Sequence, residues 1–164
     1  MLREPFTEKF YTYHSKYIEN VLALRQPQRE SLEIFARLCD ILTFSKEPNL
    51  GAELEAVHAL FPTLSSFERD FPSFCFALAT GIGKTRLMGA CIAYLRYEKG
   101  IKNFFVMAPN LTIYDKLKAD LGNTSNPKYV FKGLDLFAKP PRIIDGDNYA
   151  DFRQGTFGVN DVVI

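Results

Sequence analysis

Residues 73–90 read S-F-C-F-A-L-A-T-G-I-G-K-T-R-L-M-G-A, and no other stretch restricts the fold of this chain as tightly. Its first six residues are an apolar, strand-forming run, long enough for a buried strand and too short for a helix. A turn punctuated by two glycines follows over 79–84. From Thr85 onward, Leu87, Met88, Cys91, Ile92 and Leu95 recur at helical spacing, which predicts an amphipathic helix.

Strand, glycine loop ending in Gly-Lys-Thr, then helix is the arrangement that a phosphate-binding loop requires. A loop wrapped around a triphosphate must turn backbone N–H groups inward, which demands angles that a Cβ resists. Gly81 and Gly83 are suited to that turn. The helix start adds unpaired N–H groups and the positive end of its dipole. Thr80, Gly81, Ile82, Gly83, Lys84, Thr85 and Arg86 are therefore the candidate nucleotide-binding residues. Lys84 is placed to reach the β- and γ-phosphates, and the Thr85 hydroxyl to ligate Mg²⁺, which makes this pair the candidate catalytic residues. A glycine-rich turn with a merely exposed lysine is the plainer alternative, and the flanking strand and helix argue against it.

The general pattern G-x-x-x-x-G-K-[ST] places its first glycine at position 78, where this chain has Leu78. The string L-A-T-G-I-G-K-T resembles motif I of superfamily 2 helicases and translocases, above all the restriction-enzyme Res-subunit branch, which typically reads M-A-T-G-T-G-K-T. Two further segments fit the same resemblance. Upstream, L-R-Q-P-Q-R-E-S-L is similar to the family's L-R-x-x-Q-x-x-A-[IL], with Ser31 departing from the usual alanine. In the family that glutamine, here Gln28, reads the adenine edge, since an amide both donates and accepts. An ordinary helix start, with Pro27 at its entrance, is the structural alternative. Downstream, N-F-F-V-M-A-P-N-L-T resembles motif Ia, a strand ending in Ala-Pro before a helix. There the turn holds the nucleic-acid backbone, which makes Pro109, Asn110 and Thr112 the candidate nucleic-acid contacts. Helix capping by Asn110 and Thr112 is the structural alternative, and the two roles are compatible.

The resemblance covers residues 24–121 and implies an α/β fold of the RecA-like P-loop type, a parallel sheet flanked by helices and incomplete at its C-terminal side. It implies ATP with Mg²⁺, DNA as the track, and hydrolysis coupled to translocation in the restriction (Res) subunit of a type III system. A modification or specificity subunit is the implied partner. An ATP-hydrolysing site also needs an acidic element at a strand end. The family writes it D-E-x-H or D-E-A-D, and no D-E pair occurs in this sequence. Asp145, Asp147 and Asp161 are read as isolated acidic residues. The chain alone is thus expected to dock nucleotide without turning it over, in the absence of the DEAD/DEAH element. Two other readings remain: a different P-loop NTPase such as a small kinase, which Leu78 disfavours, and a nucleotide-binding regulatory module that never hydrolyses.

The rest of the chain sets the frame. Residues 1–23 are expected as an N-terminal helical extension, with Phe10, Tyr13, Tyr17, Ile18 and Val21 at helical spacing. Tyr11, Tyr13 and Tyr17 are read as packing rather than base-stacking residues. Residues 24–164 form the partial ATP-binding domain, with a helix carrying Leu32, Phe35, Leu38, Cys39 and Leu42. A Pro-, Ser- and Glu-rich insertion is placed at 44–72, with a short helix around Leu54, Val57 and Phe61. Strands are expected at 104–107, 129–131 and 142–144, and a helix through Ile113, Leu117 and Leu121. The strand-like run 161–164 would be an unpaired apolar edge, so the natural chain is expected to continue. A net charge of +1 confines any DNA contact to a local surface. Cys39, Cys75 and Cys91 are scattered, without a zinc pattern, and read as reduced thiols of a cytoplasmic protein. His14 and His58 have no ligand or nucleophile beside them. No apolar run approaches the roughly 20 residues of a membrane span.

Overall fold

The computed structural model describes residues 12–148 and 161–163. The helices are α1 (Tyr13–Val21), α2 (Gln26–Ile41), α3 (Leu50–Leu60), α4 (Lys84–Glu98) and α5 (Leu111–Gly122). The strands are β1 (Asn103–Phe105), β2 (Arg142–Ile144) and β3 (Asp161–Val163), and a 3₁₀ turn spans Asp135–Phe137. Residues 1–11, with Phe10 and Tyr11, lie outside the described residues.

Each helix start has a local cause, although α1 begins at Tyr13 rather than ahead of Phe10 as the spacing suggests. Thr12 accepts the Ser15 N–H at 3.0 Å while the Ser15 hydroxyl accepts the Thr12 N–H, closing a capping box on α1. Pro27 sits in the first turn of α2, where its missing N–H costs nothing. Asn49 and Asn110 cap α3 and α5 through the N–H groups of Ala52 and Ile113. Leu95 and Gly100 (φ 65°) close α4 at the expected place, Lys99 N–H bonding the Leu95 carbonyl.

The main core lies between α1, α2 and α4, with Ile18, Leu32, Ala36, Ala90, Ala93 and Tyr94 fully buried. Residues 129–137 seal it from below. Tyr129, Val130 and Phe131, expected as a strand, form turns instead; the Val130 N–H goes to the Asp120 carbonyl at 2.9 Å. Their side chains are nonetheless buried, Phe131 stacking on Phe137 at 4.1 Å between centroids. Apolar content drew the strand expectation, and burial without a neighbouring strand produced a packed turn. Residues 44–72 carry α3 and build a second small core, Leu38, Val57 and Phe67 with half-buried Leu54, Phe61 and Phe74 around them.

Three short strands pair in parallel in the order β1-β3-β2. Phe104 and Ile143 both face Val162 in register. Residues 161–163, expected as an unpaired edge, are thus the central strand. β1 is shorter than expected: Val106 is buried beyond it, but Met107 stands exposed. The strand expected at 73–78 is not formed. A strand needs a neighbour to receive its ladder hydrogen bonds, and none of the three described strands pairs with it. The alternation survives: Phe74, Phe76 and Leu78 pack inward while Cys75 and Ala77 face out. Tyr17 packs edge-on against Tyr97 and donates to Asp135, as a packing role requires, whereas Tyr13 is exposed. His14 pairs with Glu98 at 3.2 Å, and His58 Nδ1 lies 3.0 Å from the Leu64 carbonyl oxygen. Among the described residues no helix is long and apolar enough to cross a membrane.

Two predictions follow from this packing. A Cβ at Gly89 would lie 2.7 Å from Val130 Cβ. Gly89→Ala should therefore lower the unfolding free energy by about 1–3 kcal/mol, despite the gain in helix propensity. A more stable variant in urea unfolding would refute the tight contact. Burial pushes the Cys39 thiol up to about 12, against the pull of Lys99, and pushes Cys91 up to about 12 as well. At pH 8 only about one thiol in ten thousand at either site is then ionised. Iodoacetamide should modify exposed Cys75 first, half-buried Cys91 more slowly, and Cys39 only on unfolding. Equal labelling of all three in the folded protein, read by mass spectrometry, would contradict the burial.

Candidate nucleotide-binding site

The loop 80–85 is shaped by two glycines in the left-handed region, Gly81 at φ 85° and Gly83 at φ 92°. An L side chain is strained in either place. At Gly81 the backbone angle alone makes the demand, since an added Cβ would meet nothing within 4 Å and the loop there is open. At Gly83 space is also short. Gly83 is the residue that caps α4, and its carbonyl takes the N–H of Arg86 at 3.0 Å and of Leu87 at 3.2 Å. Lys84 and Thr85 are the first two helical residues, so their N–H groups have no acceptor within the helix. Thr80, Gly81, Gly83, Lys84 and Arg86 are exposed, and Ile82 and Thr85 half-buried. Donors, an ammonium and a hydroxyl thus surround an open turn at the positive end of a 15-residue helix.

The remaining residues singled out in the sequence fall into three places. Gln28 is 2% exposed and lies directly behind the loop. Its Oε1 accepts the Arg25 N–H at 2.8 Å, and its Nε2 donates to the Gly83 carbonyl at 2.9 Å. Arg86 points the other way, donating to the Leu22 carbonyl at 3.0 Å in the turn between α1 and α2. Beside that bond is a pocket of about 310 Å³, lined by Leu22, Ala23, Arg86, Tyr129 and Lys132 among others. Pro109, Asn110 and Thr112 are exposed at the start of α5, where the Asn110 side chain is engaged in capping.

Lys116 was not anticipated from the sequence. It stands on α5 with its Nζ 3.5 Å from Thr85 Oγ1 and 3.9 Å from Asp120, so it brings a second cation to the loop. No local pattern marks it; only the packing of α5 beside α4 does. Asp145 was read as an isolated acid, and here the structure corrects the reading. It follows β2 directly, is 2% exposed, and pairs with Lys118 at 2.5 Å. The Lys118 ammonium, with the N–H groups of Asn148 and Asp147, holds its carboxyl below the usual carboxylate range. Because the strands are parallel, the turns after β1 and β2 leave the sheet at the same end, which puts Asn110 and Asp145 on one rim.

Among the described residues no three His, Cys, Asp or Glu side chains converge to hold a metal. A divalent ion at this loop could take the Thr85 hydroxyl as one ligand, with waters and ligand oxygens completing its shell. A second cleft, of about 620 Å³, runs under the loop between Phe76, Leu78, Lys84, Met88 and Phe105.

The family model for the type III restriction enzyme Res subunit matches residues 10–154. A protein of Haemophilus influenzae, described as a probable type III restriction-modification enzyme HindVIP Res subunit, is 29% identical over 93 residues, covering 52% of this chain. The match spans 16% of that relative's length. No solved structure gave a significant match. The family match takes in α1 to β2 and the whole of the glycine loop, and on that ground the chain belongs to the type III restriction enzyme Res subunit family.

Proposed function

We propose that the loop 80–85 binds the triphosphate of ATP, and that the protein is an ATP-driven motor acting on DNA as the restriction subunit of a type III system. The observation that carries this reading is the pairing of left-handed Gly81 and Gly83 with Lys84 and Thr85 at the open start of α4. That geometry offers a polyanion several N–H groups, a helix dipole and a lysine, without a competing carboxylate in the loop itself. Lys84 Nζ would balance the charge of the β- and γ-phosphates. Thr85 would supply one oxygen to Mg²⁺, which neutralises phosphate charge when bound. Lys116 adds positive charge next to Thr85.

The fuller architecture, a RecA-like sheet between helical layers, belongs to the same reading. In it the run 73–78, which alternates inward and outward side chains without pairing as a strand, leads into the loop. Pro109, Asn110 and Thr112, on the rim shared with Asp145, are proposed to meet the phosphate backbone of DNA. That use of α5 is compatible with capping, since the N–H groups of a capped helix start still face outward. Coupling of hydrolysis to translocation, a modification subunit as partner and a cytoplasmic setting are part of the same proposal, and the family match supports them. Turnover needs an acidic water-positioning element that this sequence does not supply as a D-E pair, so we place catalysis in the intact protein.

Lys84→Ala in the intact protein is expected to cut DNA-stimulated ATPase activity by at least about a hundredfold, the scale of losing one preorganised group at developing charge. An unchanged rate would remove Lys84 from the site.

A further inference from the structure

Lys116 reaches the nucleotide loop from a different helix, and neither of its contacts accounts for its being there. Its Nζ lies 3.5 Å from Thr85 Oγ1 and 3.9 Å from Asp120 Oδ2. Both are longer than the roughly 2.7–2.9 Å of a strong charge-assisted bond. An ammonium carries three donors, and this side chain is 47% exposed beside an open turn. The pair with Asp120 does little for the helix, because an i,i+4 pair with the cation on the N-terminal side is the weaker order. What holds the charge near Thr85 lies behind it. Asp120 is 3% exposed, and its Oδ1 accepts from the Asn126 side-chain amide at 2.9 Å, which leaves Oδ2 to face Lys116. Buried Leu117 and Leu121 and the Lys118–Asp145 pair fix α5 in turn, so the root of the Lys116 side chain is set by the core.

Which part of a triphosphate this cation faces follows from the division of labour round the loop. The backbone N–H groups of a phosphate loop surround the α- and β-phosphates, and its lysine spans β and γ. The terminal phosphate is therefore the part that the loop encloses least. A metal on the threonine hydroxyl bridges β- and γ-oxygens, which draws the γ-phosphate to the Thr85 side. Lys116 stands on that side, and an ammonium there meets phosphate oxygens, since it cannot ligate the metal. Resting on the nucleotide reading above, we infer that Lys116 is a second phosphate-binding lysine, particular to the terminal phosphate: it donates to a γ-oxygen from α5, as Lys84 does from α4. Lys116 lies four residues after Thr112 on one face of α5. The helix proposed to meet DNA thus also touches the part of the nucleotide that hydrolysis removes.

The test uses the intact protein with Mg²⁺ and two probes, a non-hydrolysable ATP analogue and ADP, titrated by calorimetry without DNA. Lys116→Met keeps the length of the stem and removes the charge. It should weaken the ATP analogue about tenfold, the order of one charge-assisted hydrogen bond at a half-exposed site, and leave ADP within about twofold. Unchanged affinity for the analogue would overturn the inference. So would an equal loss for both probes, which is what a general change of charge or a disturbed α5 produces. Should the methionine variant fail to fold, Lys116→Gln, of similar helix propensity, is titrated in its place and the same outcomes decide. Wild-type protein that binds neither probe would instead overturn the nucleotide reading, and the inference with it.

Discussion

The left-handed turn at Gly83 holds three parts of the molecule in place. Its φ of 92° lets the chain pass from the turn at 80–82 straight into α4, so the helix begins at the lysine. Its carbonyl gathers two N–H groups of α4 and the Gln28 amide of α2. Through Gln28 the turn is tied to the start of α2, and through Arg86, three residues further on, to the turn that ends α1. The three helices that form the main core thus meet at the loop as well as in the interior. A site built this way holds its donors with secondary structure on rigid elements, and little of its geometry depends on side-chain freedom.

Much of this was legible in the sequence. Caps and glycines marked the helix ends because each acts locally: Asn110 finds the N–H of Ile113 three residues away, whatever else the chain does. Helical spacing found the inward faces of α2 and α4. It missed how fully α4 is enclosed, since Ala90, Ala93 and Tyr94 are buried on a second side by partners far away in sequence. The strands were less legible for the same reason. Residues 129–131 and 73–78 have strand-like composition, but pairing is a property of neighbours. Among the described residues, only 142–144, the start of the run 104–107, and 161–163 find them.

The site divides along the same line. Gly81, Gly83, Lys84 and Thr85 could be read from one short string because the chemistry of a phosphate loop is local. Lys116 could not, as its proximity to Thr85 is created by the packing of α5 on α4. Gln28 was found by resemblance to family sequences, and the structure gives it partners that the resemblance did not name. Asp145 shows the reverse case: a residue that looked incidental in a loop is buried, ion-paired and anchored at the end of a strand. Membership of the Res subunit family explains why these features occur together. The physical account of the loop stands on its geometry.

The most direct measurement is a crystal structure of the intact protein with Mg²⁺ and a non-hydrolysable ATP analogue. The account predicts the β- and γ-phosphates inside the turn 80–85, Lys84 Nζ and the Lys84 and Thr85 N–H groups within hydrogen-bond distance of them, and Thr85 Oγ1 on the metal. A triphosphate seated elsewhere, with the glycine turn contacting no phosphate oxygen, would contradict it.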